Sequence, residues 1–116
     1  MSNSPHYRGY SQLGEEITKG IPDHKETLDL GVQEKAEPGH AEPWMVLRGP
    51  NQYPSEMPSM QEKVETYMKS IGDVSEVIMK SFAKGFNKPE DFFSKHFNRP
   101  ASLLRFIKYP PTDGSK

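Results

Sequence analysis

A chain of 116 residues can form one small domain, and small domains bury a lower fraction of their surface than large ones. Leu, Ile, Val and Phe together account for only 22 of those residues, so core material is scarce, while a net charge of −1 argues against wholesale disorder. The absence of cysteine excludes a disulfide framework and a thiolate metal site, and no apolar run suits a signal peptide or a membrane span, so a cytoplasmic location is the default expectation.

Residues 1–58 hold seven of the 11 prolines and six of the nine glycines, and their apolar residues follow neither a helical nor an alternating period for long. This half reads as an extended, loop-rich segment that needs another surface to lie on, because its own side chains do not offset a backbone ordering cost of roughly 1–2 kcal/mol per residue. Its one compact apolar patch, Trp44-Met45-Val46-Leu47, reads as a short buried strand in preference to a ligand contact. With 5 basic against 9 acidic residues here, and 10 against 7 in residues 59–116, neither half has the charge of a nucleic-acid-binding surface.

From Ser59 the pattern becomes helical. Met60, Val64, Tyr67, Met68, Ile71, Val74, Ile78 and Phe82 recur at steps of three or four, which predicts one long amphipathic helix. Ser59 and Glu62 have capping-box spacing at its start, and Gly85 suits a left-handed residue at its end, with Lys80 and Lys84 complementing the dipole of the last turns. Asn87-Lys88-Pro89-Glu90 then predicts the start of a short second helix running to about His96, with Phe86, Phe92, Phe93 and Phe97 packed between the two.

Arg99-Pro100 breaks that helix, and Leu103 to Tyr109 alternates as a strand. A lone strand is unstable, so it calls for a sheet that the chain does not obviously contain. The sequence therefore divides into an extended segment (1–58), a helical hairpin (59–97), a terminal strand (98–111) and a disordered tail (112–116). The fold class is mainly α with a terminal β-strand.

Several short motifs occur in series: Tyr7-Arg8-Gly9-Tyr10, Pro22-Asp23-His24-Lys25-Glu26 with Leu30-Gly31, Gly49-Pro50-Asn51-Gln52, and Arg99-Pro100 with Leu104-Arg105 and Tyr109-Pro110-Pro111. Together they resemble the N-terminal region of the isopenicillin N synthase-like family of Fe(II)- and mostly 2-oxoglutarate-dependent oxygenases. The resemblance implies a fragment of an α+β jelly-roll oxygenase, without the family's opening strand and helix and without its catalytic barrel. It implies Fe(II) and 2-oxoglutarate as cofactors of the complete enzyme and none for this chain alone. Tyr53 stands where the family's Gly-Pro-Asn-Gln motif is often followed by Trp, and keeps an amphipathic aromatic there.

A non-haem iron site needs two imidazoles and a carboxylate on one face of the metal. Only His24-Lys25-Glu26 has the local His-x-Glu spacing, and it reads as a solvated loop; His6, His40 and His96 show no ligand spacing. None of Arg8, Arg48, Arg99 and Arg105 is followed two residues later by Ser, so the family's Arg-x-Ser co-substrate anchor is missing. The expectation is no catalytic and no metal-binding residue in this chain, and no turnover by it alone. Lys108 reads first as an edge-strand lysine that discourages aggregation. By the resemblance, it is also a tentative substrate-binding residue in a complete enzyme, its cation meeting a substrate carboxylate. The expected partner is a catalytic barrel segment or, through the Met- and Phe-rich helix face, another protein, with neither nucleic acid nor membrane involved. The alternatives to an oxygenase scaffold are a non-catalytic interaction module and a decayed remnant without function.

Overall fold

The computed structural model describes residues 4–36, 39, 42–97 and 99–111. The proposed tail at 112–116 and His40 lie outside them. The chain forms two compact units, one from Met1–Tyr53 with Leu103–Lys116 and one from Pro54–Ser102.

The first unit is built on a three-stranded antiparallel sheet. Strand β1 is Gly9–Ser11, a small hairpin comes next as β2 (Ile17–Thr18) and β3 (Ile21–Pro22), β4 is Glu26–Gly31 and β5 is Leu103–Lys108. The order β1-β4-β5 puts β4 in the centre, with Tyr10 opposite Leu28, and Leu28 opposite Phe106. This corrects two expectations. The terminal strand finds its partner inside the chain, and the first 58 residues supply two strands of its sheet in place of a purely extended segment. The described residues thus hold one α-helix and five strands, so "mainly α" gives way to α+β.

The alternation of β4 hides from a hydrophobicity count because one of its faces is polar. Thr27 and Asp29 are buried together with Ser11 of β1, while Leu30 on the other face is fully buried. In the β2–β3 turn, Lys19 and Gly20 both take positive φ (53° and 81°), the conformation of a tight two-residue hairpin whose twist matches its strands. Asn51 then clamps the end of β4. Its Oδ1 accepts from the Gly31 amide at 2.7 Å and its Nδ2 donates to the Gly31 carbonyl at 2.8 Å, as a paired strand would.

Residues Pro43–Leu47 form a 3₁₀ helix, not the buried strand that their apolar content suggested. Proline at the start of the segment removes a ladder donor, and Trp44 remains 55% exposed. The segment is tied back to the N-terminal stretch by its carbonyls. His6 Nδ1 donates to Val46 O at 2.6 Å and Arg8 Nη2 to Leu47 O at 3.0 Å. Gly49 lies so close to the His6 ring, and Gly31 to the Arg8 guanidinium, that a β-carbon at either would collide with it.

The second unit contains helix α1, Met60–Gly85, as its period predicted. Its ends differ from the sequence reading. Ser59 has helical dihedrals and makes no side-chain cap bond, so the capping box does not form. At the other end the left-handed residue is Asn87 (φ 53°), two residues beyond Gly85. The Lys88 amide donates to Ala83 O and the Asn87 amide to Lys84 O, both at 2.9 Å, which is the Schellman arrangement. Asn87 therefore closes α1 instead of opening a second helix. Beyond it the chain makes a run of turns with one 3₁₀ turn at Ser94–His96. Phe92 and Phe93 meet edge to face with centroids 5.0 Å apart, whereas Phe86 and Phe97 are more than half exposed, so the expected four-Phe helix interface is absent. Among the described residues no helix is long and apolar enough to cross a membrane.

Candidate functional site

The two faces of the β1-β4-β5 sheet carry different chemistry because side chains alternate along each strand. On one face Arg105 of β5 lies opposite Asp29 of β4. Its Nε and Nη2 donate to the two carboxylate oxygens at 2.6 and 2.5 Å, a bidentate pair with Asp29 almost fully buried. Glu16 approaches the same guanidinium at 3.6 Å. The Asp29 hydrogen bond raises the Arg105 pKa and keeps it charged. Beside the pair, Lys25 bridges Glu16 at 2.9 Å and Asp23 at 2.7 Å. Lys25 and Thr18 hold the Asp23 carboxyl below its usual range, and Lys25 is raised by Asp23 and Glu16.

On the opposite face Lys108 stands directly across from Glu26, with Nζ 3.2 Å from Oε2. Lys108 is exposed and Glu26 is mostly covered. Next along this face come Phe106 and Leu28, with Tyr10 of β1 beside them. Lys108 is thus an exposed strand residue with a cross-strand carboxylate partner. Sequence reasoning missed both Glu26 as that partner and Asp29 as the anchor of Arg105. Both pairings depend on strand register, and they join residues 82 and 76 positions apart, so no local spacing could have revealed them.

The motif His24-Lys25-Glu26 does not act as a unit. His24 is exposed at the strand approach, Lys25 turns to Asp23 and Glu16, and Glu26 turns to Lys108. Buried His6 is spent on Val46 O. Among the described residues no three His, Cys, Asp or Glu side chains converge as metal ligands, so these residues do not fit an iron centre. Arg8, Arg48 and Arg105 are each held within the chain, by Leu47 O, Glu34 and Asp29.

Residues 1–56 match the family described as "non-haem dioxygenase in morphine synthesis N-terminal". Over 111 residues the chain is 33% identical to homoarginine-6-hydroxylase 2-ODD-C23.1 of Arabidopsis thaliana, covering 95% of this chain and 33% of that protein. Over 112 residues it is 36% identical to the 2-oxoglutarate-dependent dioxygenase frbJ of Dothideomycetidae sp. (strain 11243), covering 95% of this chain and 30% of that protein. The structure superposes on a Caulobacter crescentus protein of the 2OG-Fe(II) oxygenase family with a TM-score of 0.70 and 29% identity, over 90% of this chain and 34% of that one. A full-length Neurospora crassa protein, solved in complex with alpha-KG, shares the fold with a TM-score of 0.66 at 24% identity, over 89% of this chain and 33% of its own. The chain spans about a third of the length of the curated relatives it matches.

Proposed function

Since this chain carries the N-terminal region of the 2-oxoglutarate-dependent, non-haem iron dioxygenases, we propose that it is the scaffold of such an enzyme, and that chemistry belongs to a catalytic barrel outside these residues. The observation that carries the proposal is the state of β5. It is an edge strand, bonded to β4 on one side, yet Leu103, Phe106 and Ile107 are about half exposed. A six-residue edge strand with four apolar side chains is an aggregation hazard unless another strand or a covering element completes it. A barrel continuing from Pro110-Pro111 would supply both, with α1 buttressing it and residues 1–58 lying along its outside.

In that enzyme Fe(II) and 2-oxoglutarate would supply the oxidation, held by barrel residues. The part played by this chain is to position β5 and Lys108. Several relatives are named homoarginine-6-hydroxylases, which supports a free amino acid of that kind as substrate, with Lys108 contacting its carboxylate. An exposed ion pair contributes at most about 1 kcal/mol, so Lys108 can leave Glu26 for a ligand at little cost.

The test is the intact mass of the native product, captured with an antibody against residues 59–97 and followed by an assay for iron-dependent succinate release. A product well above 13.2 kDa with that activity supports the proposal, and a product at 13.2 kDa without it overturns it. A second reading, a non-catalytic module that binds another protein through α1, has its own support. Tyr67, Ile71, Val74, Ile78 and Phe82 form a half-exposed apolar stripe along the helix.

A further inference from the structure

The geometry points to Glu26 and Lys108 as a two-charge receptor for the head group of a free α-amino acid. The ligand's carboxylate would lie on the Lys108 ammonium and its ammonium on the Glu26 carboxylate. This inference rests on the reading that Lys108 meets substrate in the complete enzyme, and adds to it a named second residue and the substrate's charge pattern.

Three features characterise this ion pair among the described residues. The first is its looseness. Lys108 and Glu26 are 3.2 Å apart, against 2.7 Å for Lys25–Asp23, 2.6 Å for Arg48–Glu34 and 2.5 Å for Arg105–Asp29; the longer 3.6 Å approach of Glu16 to Arg105 is secondary to the Asp29 bridge on that same guanidinium. The second is asymmetry of exposure, 70% for the Lys108 side chain and 25% for Glu26. The carboxylate is held by the sheet while the cation is free to swing. The third is the surroundings. Phe106, Leu28 and Tyr10 continue the same sheet face as an apolar floor, and Leu30 at the far end is fully buried, so the face is closed at one end and open at the charged end.

An α-amino acid carries an ammonium and a carboxylate on one carbon, about as far apart as the charges of a close ion pair. Laid antiparallel on the Glu26–Lys108 dipole it completes a four-charge array in which each charge faces its opposite, and its side chain is directed over Phe106 and Leu28. A lone cation would bind any anion there. The fixed carboxylate beside it penalises a dianion and requires a positive group next to the bound carboxylate. Lys25 offers no comparable site, because Glu16 and Asp23 already occupy it.

The test uses the full-length protein with ferrous iron and 2-oxoglutarate under nitrogen. It is titrated calorimetrically with L-homoarginine, its Nα-acetyl derivative and its α-carboxamide. The free amino acid should bind about 10- to 100-fold more tightly than either derivative, the range expected for losing one charged hydrogen bond. Glu26→Gln should erase the preference over the Nα-acetyl compound and keep that over the amide, and Lys108→Met should do the reverse. The swap Glu26→Lys with Lys108→Glu preserves a cross-strand pair, so thermal unfolding should stay unchanged, while the free amino acid, which meets the reversed pair only turned end for end with its side chain directed away from Phe106 and Leu28, should bind more weakly. Retention of both preferences in both single variants overturns the inference, as does tighter binding of every ligand by Glu26→Gln, which would make Lys108 a lone anion site. If the protein turns over 2-oxoglutarate with other substrates but binds none of the three probes, the inference fails and the oxygenase reading stands. A 13.2 kDa product without turnover removes both.

Discussion

The two units of this chain are held together by different means. The sheet unit depends on contacts between residues far apart in sequence: β4 pairs with β5 across more than seventy positions, and the part-buried Asp29–Arg105 bridge joins the two strands in that register. The helical unit relies on neighbours. Its ion pairs Lys69–Asp73 and Glu76–Lys80 join successive turns, and the Asn87 cap closes the helix within five residues. A single substitution in the sheet should therefore be felt at both ends of the chain, while one in the helix should be felt locally.

The largest test of this contrast is Asp29→Ala, which leaves the Arg105 guanidinium without its bidentate partner. Removing one member of a fully buried pair costs roughly 3–5 kcal/mol. Because Arg105 is about a third exposed, water recovers part of that, and about 2–3 kcal/mol is expected. Hydrogen exchange should quicken in both β4 and β5, with α1 unaffected.

Gly49→Ala comes next. The His6 ring it would strike is short-tethered and bonded to Val46 O, so overpacking should cost about 1–3 kcal/mol in urea unfolding. Gly31→Ala should cost less, about 1 kcal/mol, because the longer Arg8 side chain can swing aside at the expense of its bond to Leu47 O. Equal losses would mean that the backbone, not the neighbouring side chain, sets the limit.

In the helix, Gly72→Ala should gain about 1 kcal/mol, since a β-carbon there meets nothing. Asn87→Ala should lose about the same from its left-handed backbone. Acid should loosen both units. Asp23, held low by Lys25 and Thr18, and Glu90, held low by Lys84, contribute stability that is present above the ordinary carboxylate pKa and lost as pH falls through their depressed values. A pH titration of amide chemical shifts would register this, with a smaller effect at high salt because ion pairs open to solvent are screened. Smallest of all, Ser59→Ala should change helix stability by less than about 0.5 kcal/mol by circular dichroism, because Ser59 makes no cap bond.

Helix α1 and strand β5 are legible in the sequence because each announces itself by its own period, and the family resemblance is legible because short motifs stand in order. The capping-box spacing misleads because Ser59 adopts helical dihedrals, so its hydroxyl does not reach the free amides. Asn87 misleads because the same residue type serves N-caps and left-handed C-caps alike. Strand β4 escapes notice because its buried face is Thr27 and Asp29, which no hydrophobic count records as core.

The amino-acid sequence by itself determined where α1 runs, where β5 runs and which oxygenase family the chain resembles, since those come from periodicity and local motifs. Only the tertiary structure decided that β5 pairs with β4, that Arg105 is anchored by Asp29, and that Lys108 faces Glu26 above an apolar floor. The physical reason is register. Side chains alternate faces every residue, so which charges meet is set by how two strands slide into alignment, and that alignment is a property of the folded sheet as a whole.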